Sequence, residues 1–114
     1  MLNHIVLVKF KASVKETDIQ TIADLLDDLP NKILEIHQYE FGRNIIQSKR
    51  SYDFALVALF ANPESLQRYL EHPEHIAVVR KLSNMSENII TVDFQGSDAG
   101  AIKDKIPDQD LPVW

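Results

Sequence analysis

Seven consecutive residues, Tyr69-Leu70-Glu71-His72-Pro73-Glu74-His75, place one phenol and two imidazoles beside a proline that interrupts a helical region. Histidine is the only side chain whose ordinary pKa lies in the physiological range, so a cluster of histidines can do acid–base or metal chemistry. A nearby tyrosine hydroxyl can orient such a base or polarise a substrate carbonyl. The same residue types also cap helices and pack in cores, so the sequence leaves both interpretations open.

His75 is the candidate general base. If Pro73 opens a helix, His75 lies in its first turn, where the helix N-terminus and burial both disfavour the imidazolium form. A neutral imidazole near pH 7 can accept a proton, although Glu74 opposes this by favouring the charged form. We take Tyr69 and His4 as its catalytic partners. The alternative is structural: His75 caps a helix, Tyr69 fills the core, and His4 is a hydrogen-bonded core residue on an apolar strand.

A metal site is a weaker interpretation of the same segment. His72 and His75 lie three residues apart and are flanked by glutamates, a spacing that could ligate a metal with His4 as third ligand. Pro73, however, interrupts the helix that would place both imidazoles on one face. No phosphate loop, nucleophile elbow or dinucleotide fingerprint is present. We therefore expect neither a metal nor a cofactor.

Composition limits the class of protein and the kinds of partner. A chain of 114 residues with 45% hydrophobic residues suits one compact domain with a real core. The absence of cysteine excludes disulfides, iron–sulfur clusters and thiol nucleophiles. No apolar run could span a membrane, and the first residues carry no basic leader, so we expect a cytoplasmic protein without a membrane partner. The net charge of −5 argues against a nucleic-acid partner.

The hydrophobic periodicity predicts four strands and helices between them. In chain order these are a strand Leu2–Phe10, a helix capped at Ser13 or Thr17 and stopped at Pro30, strands Ile33–Phe41 and Tyr52–Phe60, a helix from Pro63 capped by Asn62, a helical segment Pro73–Met85 and a strand Glu87–Phe94. A bulge or turn is expected at Gly42. The predicted buried stripes of the helices are Ile19, Ile22, Ala23, Leu26 and Leu29, then Leu66, Tyr69 and Leu70, then Ile76, Val79 and Leu82 or Ser83.

This βαββαβ order predicts an α+β, ferredoxin-like fold, an antiparallel four-stranded sheet with helices on one face. The first and third strands are apolar on both faces, as expected only when both faces are covered. A second copy of the sheet is the simplest cover, so we expect a homodimer in which two sheets form a dimeric α+β barrel. The tail, residues 96–114, ends in Trp114 and could also contribute cover, or could fray.

Four ordered motifs carry a resemblance to a known family. They are His4–Lys11 in the first strand, Phe41–Asn44 after the second, Tyr52–Phe60 as the third, and the Tyr69–His75 segment. The chain resembles the stress-responsive A/B barrel domain (Dabb) family over roughly residues 2–95. The resemblance implies a domain over residues 1–95, a ferredoxin-like fold, and a homodimer built by sheet-on-sheet association. Some plant members are stress proteins.

One plant member of that family is a polyketide cyclase that closes a linear tetraketide with a histidine base and a tyrosine. Its base and tyrosine match His75 and Tyr69, a pocket histidine on its first strand matches His4, and His72 is also matched. A further pocket histidine on its third strand falls at Phe54, which changes the polarity of the pocket. The expected substrate pocket beside the catalytic residues comprises His72, Val6, Val8, Phe54 and Leu56.

Two functions follow from these observations. The first is a cofactor-independent enzyme, cyclase-like, lyase-like or monooxygenase-like, acting on an apolar carbonyl or aromatic substrate. The second is a non-catalytic stress-protective or small-molecule-binding dimer. An enclosed pocket on which His75, Tyr69 and His4 converge would favour the enzyme, and a filled core would count against it.

Overall fold

The computed structural model describes residues 1–96, which form four strands and three helices. In chain order they are β1 (Leu2–Phe10), α1 (Glu16–Lys32), β2 (Gln38–Arg43), β3 (Phe54–Phe60), α2 (Pro63–Glu71), α3 (Pro73–Met85) and β4 (Ser86–Gln95). Apart from Gly96, the predicted tail with Trp114 lies outside the described residues.

The strands form one antiparallel sheet in the order β2-β3-β1-β4, with the helices on one face. The predicted ferredoxin-like α+β class is therefore confirmed. On β1, His4 lies opposite Ala58 of β3 and Asp93 of β4, and Ala58 in turn lies opposite Tyr39 of β2. Residues opposite one another in a sheet point to the same face, so this row crosses the whole sheet beneath the helices.

The predicted ends of α1 were wrong. The helix begins at Glu16, and the carboxylate of Asp18 accepts a hydrogen bond from the Lys15 backbone N–H at 3.0 Å, in place of a cap from Ser13 or Thr17. Pro30 lies inside the helix, which continues to Lys32. The N–H of the fully buried Ile33 donates to the Leu29 carbonyl at 2.9 Å, and this bond stabilises the last turn around the proline.

The second and third strands begin later than predicted. Residues 33–37 form a turn instead of an extended strand. β2 begins directly after His37, whose N–H donates to the Leu59 carbonyl at 2.9 Å. Gly42 was expected to make a bulge or turn, but it continues β2 opposite Ala55. β3 begins at Phe54 rather than Tyr52, and just before it the Asp53 N–H donates to the Val8 carbonyl at 2.9 Å.

The proline signals in the second half of the chain are confirmed. Asn62 caps α2 by accepting a hydrogen bond from the Ser65 N–H at 2.8 Å, and Pro63 and Pro73 each occupy the first position of a helix. The predicted buried side of α3 was wrong except at Leu82. His75, Val78 and Leu82 are buried, whereas Ile76 and Val79 are 38% and 36% exposed.

The two faces of the sheet differ in cover. The face toward the helices carries the core, in which Val8, Phe54 and Phe60 are almost completely buried. The opposite face, called here the outer face, carries apolar side chains that remain exposed in the single chain. They are Val57 (42%), Ile90 (42%), Val92 (58%) and Phe94 (48%). Both faces of the sheet are therefore apolar, as the strand patterns predict.

Candidate active site

A cavity of about 200 Å³ lies between the inner face of the sheet and the helices. Its lining is mostly aliphatic and aromatic, and comprises His4, Val6, Val8, Leu26, Tyr39, Phe54, Leu56, Tyr69, Leu70, His75, Val78, Val79, Leu82, Ile89 and Thr91. The three predicted catalytic residues thus meet at one cavity. The predicted pocket residues of β1 and β3 also line it.

His75 lines this cavity and has one ring nitrogen without a hydrogen bond in the described part of the chain. It lies in the first turn of α3 and is 9% exposed. Its Nδ1 lies 3.2 Å from the Leu70 carbonyl oxygen. A carbonyl only accepts hydrogen bonds, so Nδ1 must carry the hydrogen and Nε2 of the neutral ring must carry the lone pair. Within residues 1–96 Nε2 makes no hydrogen bond, and it can accept a proton from a ligand.

Burial keeps this imidazole neutral. Loss of solvent lowers the pKa of His75 below its ordinary value of 6.5, and the hydrogen bond to Leu70 opposes that effect less strongly. Positive charge on His4 or His72 would lower the pKa further. The imidazole is therefore neutral at neutral pH, and Glu74 is not among the causes of the shift in its pKa.

Tyr69 lies against the base and shares a hydrogen bond with a second tyrosine. Its ring centroid is 4.2 Å from that of His75 and 4.8 Å from that of Phe60. Its hydroxyl is 2.7 Å from the hydroxyl of Tyr39, on β2. Burial raises the pKa of Tyr69 to about 12 and raises that of Tyr39 as well. Both phenols are therefore protonated near neutral pH and can act as hydrogen-bond donors.

His4 is oriented by a carboxylate on the neighbouring strand. Its Nδ1 is 2.5 Å from Oδ1 of Asp93, its partner in the register of β1 and β4. His4 is 5% exposed, whereas the Asp93 side chain is 41% exposed. A carboxylate that accepts from Nδ1–H fixes the tautomer and the orientation of the ring. The His4 ring centroid lies 6.0 Å from that of Tyr69, so the second imidazole borders the same space.

His72 does not line the cavity, and its predicted place in the pocket was wrong. It is the N-cap of α3, where its Nδ1 accepts a hydrogen bond from the Glu74 N–H at 3.1 Å. Pro73 causes this placement, because the chain must leave the helical conformation at the residue before a proline. Within residues 1–96, no group of three His, Asp or Glu side chains is placed to hold a metal.

The sequence analysis missed Tyr39 and Asp93. Tyr39 and Phe41 are two residues apart in the second strand and therefore point to the same face of the sheet. Strand alternation could thus have placed Tyr39 toward the helices. Asp93 was not identifiable from the sequence because its contact with His4 depends on the register between the first and last strands. Ile89 and Thr91 reach the cavity through the same pairing.

The fold and motifs correspond to a defined family. The family model for the stress responsive A/B barrel domain, Dabb, matches residues 2–95. The chain belongs to this family, as the resemblance of its four motifs indicated.

Two similar proteins illustrate the match in sequence. The chain is 32% identical over 81 residues to an uncharacterised protein of Streptomyces coelicolor, covering 69% of this chain and 84% of that protein. It is 26% identical over 97 residues to a stress-response A/B barrel domain-containing protein of Arabidopsis thaliana. That match covers 82% of this chain but 46% of the plant protein, so the chain spans about half of that relative.

Solved structures show the same architecture. A dimeric ferredoxin-like protein of unknown function from Thermobifida fusca superposes with a TM-score of 0.76 at 28% identity, covering 82% of this chain and 88% of that one. A hydroxynitrile lyase from Passiflora edulis superposes with a TM-score of 0.78 at 15% identity, covering 86% and 94%. The second likeness is one of fold alone, but it shows that this architecture includes an enzyme.

No helix in the described part of the chain is long and apolar enough to cross a membrane.

Proposed function

We propose that the protein is a cofactor-independent acid–base catalyst, in which the neutral His75 removes a proton from a carbonyl substrate held in the cavity. The observation that carries the proposal is the pairing of two complementary groups at one apolar space. His75 offers a lone pair on Nε2, and the tilted ring of Tyr69 lies beside it with a protonated hydroxyl. One group can take a proton while the other donates a hydrogen bond to developing negative charge.

The proposed step is proton abstraction next to a carbonyl. Nε2 of His75 takes the proton from the carbon, and the C–H electron pair forms the carbon–carbon double bond of an enolate. The carbonyl π electrons move to oxygen, where the hydroxyl of Tyr69 stabilises them by a hydrogen bond. In a cyclase-like reaction the enolate carbon then attacks a second carbonyl of the same substrate, whose π electrons move to its oxygen, and that oxygen takes the proton from the His75 imidazolium. In a lyase-like reaction the same groups promote the reverse cleavage.

The cavity favours a flat or aliphatic substrate with few polar groups. Phe54, Leu56 and Val78 contribute apolar surface, and no Lys or Arg belongs to the described lining. An apolar lining of this kind strengthens hydrogen bonds to an oxyanion, because it lowers the local dielectric constant. His4, oriented by Asp93, is proposed as a second imidazole that returns or relays the proton.

A non-catalytic function remains a second candidate, and the same cavity favours it. An apolar space of about 200 Å³ could bind a small hydrophobic molecule without turning it over. Exchange of protons on a bound ketone distinguishes the two functions, since a protein that only binds the ketone would not accelerate it.

We also propose that the protein works as a cytoplasmic homodimer, with the outer faces of two sheets packed together. Four large apolar side chains on that face are each more than 40% exposed in the single chain. A patch of this kind is expected to be covered, and a second copy offers a surface of the same chemistry. The similar protein from Thermobifida fusca is dimeric, which supports a dimer here as well.

The reaction can be tested without knowing the natural substrate. Acetophenone carries a carbonyl, an aromatic ring and exchangeable protons on its methyl group, and their replacement by deuterium in D2O is followed by proton NMR. Wild-type protein should accelerate the exchange above the buffer rate. His75→Asn keeps an amide N–H for the Leu70 carbonyl but has no basic nitrogen, so the acceleration should disappear.

His37→Asn is the matched control, because His37 is exposed and does not line the cavity. It should retain the wild-type rate. If wild-type protein binds acetophenone but does not accelerate the exchange, the catalytic proposal fails and the binding function is favoured. If His75→Asn exchanges as fast as wild type, His75 is not the base.

A further inference from the structure

The two cavity tyrosines carry one more hydrogen than their mutual bond uses. Tyr39 and Tyr69 each have one hydroxyl hydrogen, and their oxygens are 2.7 Å apart, so one hydroxyl donates to the other. Within residues 1–96 neither hydroxyl has another hydrogen-bond partner. One phenolic hydrogen is therefore left over, whichever way the shared bond points. Both residues line the cavity.

The two rings have different surroundings. The Tyr69 ring lies beside both imidazoles, with its centroid 4.2 Å from that of His75 and 6.0 Å from that of His4. Tyr39 lies on β2, across from α2, with Phe41 as its other aromatic neighbour.

We propose that Tyr39 is a positioning residue that donates its hydrogen to the Tyr69 oxygen and thereby directs the Tyr69 hydrogen to a ligand. The site then selects molecules that place a carbonyl or similar acceptor oxygen at Tyr69 over molecules of the same shape without one. This inference rests on the proposed function for the identity of the acceptor as a carbonyl. Beyond that function, the inference assigns a role to Tyr39 of β2 and predicts a preference for ligands that carry an acceptor oxygen.

The physical basis is the cost of an unpaired polar group. An apolar isostere would leave the free Tyr69 hydrogen buried without an acceptor, which weakens its binding. A donor that itself accepts a hydrogen bond is also polarised by it, so the Tyr39 bond strengthens the bond from Tyr69 to the ligand. Removing the Tyr39 hydroxyl should therefore weaken carbonyl recognition without emptying the cavity of apolar surface.

The test compares two ligands of nearly the same shape, acetophenone and α-methylstyrene, in which C=CH2 replaces C=O. Dissociation constants are measured by NMR titration of the full-length protein for wild type, Tyr39→Phe, Tyr69→Phe and Tyr52→Phe. The last is the matched control, because the Tyr52 hydroxyl bonds Asn88 and Tyr52 does not line this cavity. Thermal unfolding of each variant confirms that it is folded at the titration temperature.

Wild type and Tyr52→Phe should prefer the ketone by about tenfold. Tyr69→Phe should remove that preference, and Tyr39→Phe should reduce it by roughly threefold while the affinity for α-methylstyrene changes less than twofold. The proposal is overturned if wild type binds both probes equally or neither. It is also overturned if Tyr39→Phe keeps the full preference, or if the preference depends on Tyr39 but not on Tyr69.

The binding test and the exchange assay fail separately. If the protein prefers the ketone through the two tyrosines but does not accelerate exchange of the acetophenone methyl protons, catalysis is disproved and the positioning role of Tyr39 stands. If it accelerates that exchange but shows the same preference with and without the Tyr39 hydroxyl, the positioning role is disproved and catalysis stands.

Discussion

The imidazole of His75 and the phenol of Tyr69 contact one another across a break between two helices, with ring centroids 4.2 Å apart and ring planes tilted by 44°. Tyr69 lies in the last turn of α2, and His75 lies in the first turn of α3. Pro73 creates the break, because it ends the helix before it and provides a suitable first residue for the helix after it. The backbone of α2 then supplies the Leu70 carbonyl that fixes the tautomer of His75.

The lowered pKa of His75 predicts a pH dependence of stability. The folded-state pKa lies below the ordinary value of 6.5, so the unfolded chain binds more protons as the pH falls through this range. The contribution of His75 to the free energy of unfolding should be fully present above about pH 6.5 and should be lost as the pH falls below that value. Urea unfolding of wild type and His75→Asn between pH 8 and pH 5 measures it.

In that comparison all other titrating groups are shared, so the difference between the two proteins isolates His75. The free energy of unfolding of the variant should fall less steeply toward pH 5 than that of wild type. Equal slopes, or a steeper slope in the variant, would show that the folded protein does not disfavour the charged imidazole.

His72 is predicted to stabilise α3 without taking part in the reaction. Its Nδ1 accepts a hydrogen bond from the Glu74 N–H, so His72→Ala should cost about 1 kcal/mol of stability. His72→Ser provides another cap acceptor and should recover most of that loss. Urea unfolding measures both values. Both variants should exchange the acetophenone methyl protons at the wild-type rate. A loss of that exchange in both folded variants would show that His72 takes part in the reaction.

A charge on the outer face should dissociate the dimer. Val92 is 58% exposed in the single chain and would be buried between two sheets, so Val92→Glu would place a carboxylate in an apolar interface. Loss of one such apolar contact alone corresponds to about tenfold weaker association. Ile76→Glu, on the helical side of the chain, is the control and should stay dimeric. Sedimentation equilibrium of the three proteins distinguishes these states, and a monomeric wild type would contradict the proposed assembly.

Local signals in the sequence predicted the elements best where a single residue type fixes the backbone. Pro63 and Pro73 gave correct helix starts because proline presets its own φ angle and needs no hydrogen on its nitrogen. Pro30 misled the prediction because Ile33 is buried and its N–H still bonds Leu29, so packing stabilises the turn despite the proline. Capping by Ser13 or Thr17 failed for a similar reason, since Asp18 supplied the competing acceptor.

The candidate site residues that are close in sequence were predictable, whereas the contacts between strands were not. His75 and Tyr69 are near neighbours in sequence, and His4 was placed by strand alternation. The contact of His4 with Asp93 joins residues 89 positions apart and depends on register, which the sequence does not specify locally. The hydrogen bond between Tyr39 and Tyr69 likewise requires the packing of α2 over β2.

The most direct test of the account is the protonation state of His75, read from its ring nitrogens. The chain has four histidines, and long-range nitrogen–proton NMR of a 15N-histidine sample, assigned with single His→Asn variants, resolves each tautomer and its titration. We predict a neutral His75 at pH 7, with the hydrogen on Nδ1 and a titration midpoint below 6.5. A hydrogen on Nε2, or a midpoint above 6.5, would contradict the assignment of His75 as the cavity base.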